Sequence, residues 1–291
     1  MTTSLDTFTV YREPAALTTA VRDLRAAGRR VGLVPTMGAL HDGHLSLVRR
    51  LRHTTDAVVA SVFVNPLQFG PGEDLDSYPR TWDSDVALLR ETGVTAVFAP
   101  SVADMYPEGQ RTTVQPGPLG AELEGASRPG HFAGMLTVVA KLLQICQPDR
   151  ACFGEKDYQQ LVLIRQLVRD LNFPVQIVGG EIVRDPDGVA SSSRNRYLTP
   201  AQRTTARALY SALTAGARAG RGGAEKVLAA ARETLANTAG LEVDYVALRT
   251  PDLLAKPSWG PARLLVAARI GNTRLIDNIA VSLGEAQEGG N

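Results

Sequence analysis

Two histidines three residues apart, His41 and His44, sit in the stretch Pro35-Thr36-Met37-Gly38-Ala39-Leu40-His41-Asp42-Gly43-His44. A β-branched run (RVGLVP, 30–35) precedes it, and a helical pattern with Leu45, Val48 and Leu51 on one face follows. Gly38 and Gly43 let backbone approach a ligand closely. A helix opening at Gly43-His44 presents N–H groups and the positive end of its dipole, which favour an anion. Both imidazoles can aim at that anion. The chemistry predicted is the cradling of a polyphosphate at the first βα turn of a parallel sheet.

Five more segments carry reactive or recognising groups. Phe153-Gly154-Glu155-Lys156-Asp157-Tyr158-Gln159-Gln160 again joins a strand to a helix. Lys156 offers a mobile point charge, Asp157 a partner for it or for a ribose hydroxyl, and Gln160 an amide one turn into the helix. An ordinary acidic first turn complementing the dipole is the alternative. Lysine is scarce, however: only Lys141, Lys156, Lys226 and Lys256 occur among 31 basic residues. Ser191-Ser192-Ser193-Arg194-Asn195-Arg196 supplies hydroxyls, amides and guanidinium groups suited to phosphate oxygens, with a Ser-rich linker as the alternative. Asn65 and Gln68, in SVFVNPLQFG, are uncharged amides suited to a small polyol, or to bonding within their own loop. The acidic stretch from Glu73 to Arg80 follows, and Arg128 and His131 stand at a Gly/Pro turn before another helix.

Elements that could position these groups are legible as two alternating periods. Short buried strands are predicted at 30–35, 57–64, 94–99, 151–153 and 175–178. Helices are predicted at 14–27, from 45 onward, and at 83–92, 132–145 and 159–171. Such alternation means an α/β fold, a parallel sheet with helices on both faces, whose strand ends bind ligands. After the turn signal Arg184-Asp185-Pro186-Asp187-Gly188 the pattern changes. Thr199-Pro200 opens a helix to about 219, and an Ala-rich helix spans 224–236. Strands follow at 241–248, 263–270 and 273–282, with Gly271-Asn272 as a hairpin turn. A smaller C-terminal α+β domain is expected, with boundaries of 1–184 and 185–291. The last nine residues, GEAQEGGN included, are expected to fray.

Composition narrows the function. The 291 residues carry 31 Lys plus Arg against 30 Asp plus Glu, a net charge of +1, which excludes a dedicated polyanion coat. Two cysteines, Cys146 and Cys152, make no disulfide framework and point to a reducing compartment. The start, MTTSLDTFTV, lacks the basic and apolar regions of a secretory signal, and no apolar run is membrane-length. A cytoplasmic location is expected.

The His-Asp-Gly-His loop resembles the His-x-Gly-His signature of the nucleotidyl-transfer superfamily. Together with SVFVNPLQFGPGEDLDSYPRT, RPGHFAGMLTVVAKLLQ, FGEKDYQQL, SSSRNRYL and RLIDNIAV, it resembles the pantothenate synthetase (pantoate–β-alanine ligase) family over about residues 30–280. The resemblance implies a Rossmann-like catalytic domain that binds ATP and pantoate, and a C-terminal lid domain. It implies condensation of pantoate with β-alanine through a pantoyl adenylate, with AMP and pyrophosphate released. As ATP contacts it implies Met37, Gly38, Ala39, Leu40, His41, Asp42, Gly43, His44, Gly154, Glu155, Lys156, Asp157, Val183, Ser191, Ser192, Ser193 and Arg194. His44 would be proton donor and phosphate stabiliser, with His41 and Lys156 also catalytic. Gln68 and Gln160 would contact pantoate, with Arg128 and His131 on the acid-binding side of the cleft; Asn65 is a further substrate-binding candidate. Mg²⁺ is expected on the ATP phosphates, with no protein ligand named, and a homodimer is implied. Ser191 stands where the family usually has Met, which touches only apolar packing.

Three rival readings have distinct requirements. An adenylyltransferase acting on a nucleotide would not need the Asn65, Gln68 and Gln160 amides. A tRNA-charging enzyme would need a nucleic-acid-binding domain. A nucleotide sensor without chemistry would have no need of Lys156, His41 and His44, all present. The loop at 71–80 is expected to act as a gate, because an acyl adenylate must be kept from water.

Overall fold

The computed structural model of the protein describes residues 8–284. Most of the tail expected to fray lies outside them, but Leu283, counted with it, ends a strand with its side chain buried. The first half runs β1 (Thr9–Tyr11), α1 (Pro14–Ala26), β2 (Val31–Thr36), α2 (Asp42–Arg52), β3 (Ala57–Val62), α3 (Trp82–Glu91) and β4 (Ala96–Phe98). It continues with the short helices α4 (Val102–Met105) and α5 (Glu124–Ser127), then α6 (His131–Cys146), β5 (Arg150–Gly154), α7 (Tyr158–Asp170) and β6 (Gln176–Gly180). The second half is α8 (Pro200–Arg218), α9 (Ala224–Ala236), β7 (Glu242–Arg249), β8 (Gly260–Ile270) and β9 (Thr273–Leu283).

Six parallel strands pair in the order β1-β4-β3-β2-β5-β6. From β2 the chain builds outward to β3 and β4 on one side and to β5 and β6 on the other. This reversal opens a crevice at the carboxyl ends of β2 and β5, where open α/β sheets bind ligands. Val34, Val58, Ala60, Val97 and Cys152 pack on Leu47, Val48 and Leu51 of α2 and Leu89 of α3. Their strand neighbours Leu33, Val59 and Ala151 are equally buried and, by strand alternation, face the other way. There α1 and α6 pack together and on β2. Strand β1 is absent from the sequence reading because three residues are too few to show a period. Burial pushes the thiols of Cys146 and Cys152 up to about 12, so both stay protonated at neutral pH.

The chain forms two compact units. One comprises 8–155 with Gln160–Glu181; the other takes Lys156–Gln159 together with 182–284. In the second unit β7, β8 and β9 form an antiparallel sheet. Leu264, Val266 and Ala268 of β8 alternate onto the face covered by Leu209 and Leu213 of α8 and Val227, Ala231 and Leu235 of α9. Helix α8 begins as its sequence says it should. Thr199 and Gln202 form a reciprocal capping box and Pro200 takes the first position.

Candidate active site

The loop after β2 is held by its neighbours rather than by its own regularity. Thr36 Oγ1 donates to the Ser61 carbonyl (2.7 Å) and accepts from Gly38 N (3.2 Å). Gly38 and Ala39 both have positive φ, +80° and +50°. A side chain at Gly38 would be strained by that φ, and its Cβ would stand 3.0 Å from Asp85 Oδ2. Asp85, near the start of α3 and 2% exposed, accepts from Ala39 N and Leu40 N, both at 2.9 Å. Thr81 Oγ1 lies 3.1 Å from each of its carboxylate oxygens. This clamp fixes two consecutive amides directly before His41.

Helix α2 starts at Asp42, with His41 as its N-cap, and not at Gly43-His44 as expected. The reason is that His41 Nδ1 accepts from Gly43 N at 3.2 Å, so the imidazole replaces the usual Ser or Asp cap. One amide counted toward an anion is therefore already engaged. With Nδ1 accepting, a neutral His41 carries its proton on Nε2, where it can donate. The His41 and His44 rings are 4.1 Å apart between centroids.

A second cluster lies between the 65–68 turn and α6. Gln68 is 8% exposed, and its Nε2 lies 3.2 Å from Met37 Sδ, in the histidine loop. Asn65 does not present a free amide. Its Nδ2 donates to Gln68 Oε1 and to the Gly134 carbonyl (both 3.1 Å), while Oδ1 accepts from Leu67 N and the Tyr106 hydroxyl. Its bonding positions are filled within the protein, and one of its bonds holds the Gln68 amide. Gly134 permits this approach, since a Cβ there would be 2.0 Å from the Leu67 carbonyl oxygen.

Arg128 and His131 join the same cluster. His131 Nδ1 is 2.8 Å from the Gln68 carbonyl oxygen, and Arg128 Nη1 is 3.1 Å from His131 Nε2. The Arg128 fork, expected to bind the substrate acid, holds an internal one. Its Nε and Nη2 donate to the two Glu73 oxygens at 2.7 and 2.5 Å. Burial works to raise the Glu73 carboxyl, but the Arg128 hydrogen bond and charge, with His131 nearby, hold it below its ordinary value. The acidic loop is thus latched by Glu73 and anchored by the buried Tyr78 against Phe69. Because that carboxyl titrates low in the folded state, the latch is complete above about pH 4.5 and is lost on acidification. Glu73→Gln should raise proteolysis within 71–80 at neutral pH and leave cleavage elsewhere unchanged. Unaltered cleavage in that loop would show that the pair does not hold it.

In the second unit, Lys156 sits in the tight turn Glu155–Asp157 that follows β5. Its Nζ lies 3.9 Å from Asp157 Oδ2, and its carbonyl accepts from Asn278 Nδ2 at 2.9 Å. Ser191, expected at phosphate, is 5% exposed, and its hydroxyl donates to Asp185 at 2.5 Å while its amide donates to the Val183 carbonyl. Ser192 caps the turn Ser193–Tyr197 by accepting from Arg194 N (3.3 Å). Ser191 is thus buried and engaged within its own loop, while Ser192, Ser193 and Arg194 are half-buried on the turn. Gly154 closes β5 beside Gly180, and Gln160 is half-buried in the first turn of α7, in the first unit.

Arg203 of α8 fixes the base of the serine loop by bonding both Asp185 and Asp187 at 2.6 Å. The Arg203 hydrogen bond holds the Asp187 carboxyl at about 2, below its ordinary 3.8. A depressed carboxyl contributes stability that is complete above pH 4 and is lost as pH falls toward 2. Arg203→Gln should therefore melt at a lower temperature than wild type at pH 7, with the gap closing between about pH 4 and 2. A gap constant across that window would assign the loss to packing.

Sequence reasoning missed Asp85, Tyr106 and Asn278 and left Glu73 without a partner. In the sequence Asp85 is one acid in the first turn of a helix, which dipole complementarity explains without a partner. Its target is 45 residues away. Among the described residues, no group of three or more His, Cys, Asp or Glu side chains could hold a metal ion. No described helix is long and apolar enough to cross a membrane.

The profile of the family described as pantoate-beta-alanine ligase matches residues 9–280. The chain belongs to that family. A pantothenate synthetase of Nocardia farcinica is 65% identical over 281 residues, covering 97% of this chain and 88% of that relative. Among ligases of the family with solved structures, the pantothenate synthetase of Thermus thermophilus superposes with a TM-score of 0.89 at 51% identity, covering 93% of this chain and 98% of that one. The pantoate-beta-alanine ligase of Francisella tularensis, complexed with beta-gamma ATP and beta-alanine, gives 0.77 at 36% identity, covering 94% and 97%. The parallel sheet with its separate antiparallel sheet is thus the architecture of this ligase family.

Proposed function

We propose that the protein joins pantoate to β-alanine at the expense of MgATP, in two steps. In the first, a pantoate carboxylate oxygen attacks the α-phosphorus, the bond to the bridging oxygen of the β-phosphate breaks, and pyrophosphate leaves. In the second, the β-alanine amine attacks the acyl carbon, the acyl–oxygen bond breaks, AMP leaves, and the amine proton passes to solvent. Mg²⁺ enters with the nucleotide, on phosphate oxygens and water, as its preference for oxygen and its reluctance to dehydrate favour.

The observation that carries this reading is the contact of Gln68 with Met37. It ties the amide suited to a polyol acid to the loop suited to phosphates. An attacking carboxylate must stand in line with the α-phosphorus, and that contact joins the two subsites without a flexible spacer. His41, donating from Nε2, and His44, one helical turn on, meet charge developing on the phosphates. Gly38, Ala39, Leu40, Asp42 and Gly43 form the ATP loop around them. Lys156 adds a mobile positive charge, with Gly154, Glu155, Asp157, Val183, Ser192, Ser193 and Arg194 on the nucleotide side. Gln160 assists Gln68 with pantoate, and Arg128 with His131 closes the acid-binding side. The 182–284 unit serves as the lid, and the working form is a cytoplasmic homodimer.

Pyrophosphate exchange tests the order of events. With pantoate and ATP alone, labelled pyrophosphate should enter ATP, and β-alanine should be needed only for release of pantothenate and AMP. ADP as product, or exchange that requires β-alanine, would refute the adenylate route.

A further inference from the structure

The motif RLIDNIAV has no role in the reaction as proposed so far, yet its Asp277-Asn278 pair is 4% and 2% exposed. Consecutive strand residues point to opposite faces, and these two do different things. Asp277 shares the face of β9 that carries Leu275 and Val281, on which α8 and α9 pack. There it takes both arms of Arg184, at 2.6 and 3.0 Å, and Arg184 in turn lies over the Tyr210 ring of α8. Asn278 points the other way, and its Nδ2 donates to the main-chain carbonyl of Lys156 at 2.9 Å.

Asn278 is itself aimed. It pairs across the sheet with Leu265, so Arg263, two residues along β8, is its diagonal neighbour on the same face. Arg263 is 9% exposed, and its Nε donates to Asn278 Oδ1 at 2.6 Å. That bond assigns the amide orientation: the oxygen faces the guanidinium and the NH₂ faces Lys156. The Arg263 guanidinium also stacks at 4.0 Å over the ring of Tyr158, whose hydroxyl donates to the Pro251 carbonyl. Two bonds and one stacking contact therefore seat residues 156 to 158 against the face of the antiparallel sheet opposite α8 and α9. This is why Lys156–Gln159 group with the second unit although β5 delivers them.

We infer that Asn278, held by Arg263, is a positioning residue for Lys156. This rests on the proposed role of Lys156 in adenylation. The side chain of Lys156 is long and its partner Asp157 is 3.9 Å away and half exposed, so its own ion pair fixes it poorly. Its fixed point is the peptide that Asn278 grips. Releasing that peptide leaves the charge present but misplaced, and a misplacement of about 1 Å can cost on the order of a hundredfold in rate.

Asn278→Asp separates this role from a structural one. An aspartate still accepts from Arg263, and does so as an ion pair, but it cannot donate to the Lys156 carbonyl. Its thermal unfolding should stay near wild type, while kcat for pantoate-dependent pyrophosphate exchange falls roughly ten- to a hundredfold with little change in KM. In the full-length enzyme carrying Lys156→Ala as well, Asn278→Asp should cause no further loss, because the group it positions is gone. If Asn278→Asp does not fold, Asn278→Ser removes the amide without adding charge and carries the same test. Wild-type kcat in a folded Asn278 variant, or losses that multiply with Lys156→Ala, would overturn the inference while leaving the function intact. Near-normal exchange in Lys156→Ala alone would overturn both the role of Lys156 and this one.

Discussion

Lys156→Ala should lower pantoate-dependent pyrophosphate exchange about a hundred- to a thousandfold, the usual effect of losing one contact to charge developing in a transition state. In free energy that is about 3–4 kcal/mol. The fold should be indifferent. The Lys156 side chain touches its acidic neighbour only at 3.9 Å, and a pair of that kind contributes at most about 1 kcal/mol. The Asn278 bond that seats the segment goes to the main chain, which alanine retains. The measurements are kcat and KM for exchange, with thermal unfolding as control. A mutant within about threefold of wild type would return Lys156 to an ordinary first-turn residue.

Asp85→Ala should have the second largest effect, on both activity and stability. It leaves Ala39 N and Leu40 N buried without their acceptor, at about 1–3 kcal/mol each. It also removes what holds Ala39 at φ +50°, a conformation that non-glycine residues adopt at a cost. The loop should then relax toward extended backbone and carry His41 with it, and exchange should fall on the order of a hundredfold. Asp85→Asn keeps one acceptor oxygen for two amides and should lie between. Hydrogen exchange at Ala39 and Leu40 would report the released clamp. Full exchange activity in a folded Asp85→Ala enzyme would show that the loop does not depend on it.

Much of the first unit is written in short-range pattern. The apolar runs that became β2, β3 and β5 are buried on both faces, so they read as continuous apolar segments. Helix α9 lies at 224–236, where the Ala-rich stretch places it, and Thr199-Pro200 starts α8. The histidine loop is legible for the same reason. Its glycines, its two imidazoles and the helix after it are contiguous, so the candidate shows in the sequence, although Asp85, 45 residues on, sets its backbone.

Partner choice is not local, and there the sequence is silent. Asn65 is a ligand candidate until Tyr106 and Gly134, from 41 and 69 residues away, occupy its amide. The Arg128 fork takes Glu73 and the Ser191 hydroxyl takes Asp185, partners that no local pattern names. By itself the sequence determined the alternation of strands and helices and the family, and it singled out the histidine loop as the polyphosphate candidate. Only the tertiary structure decided which polar groups remain available to a substrate and which are consumed as supports. A buried polar group must find a partner, and which one it finds depends on chain segments brought together by packing, whose separation in sequence carries no signal.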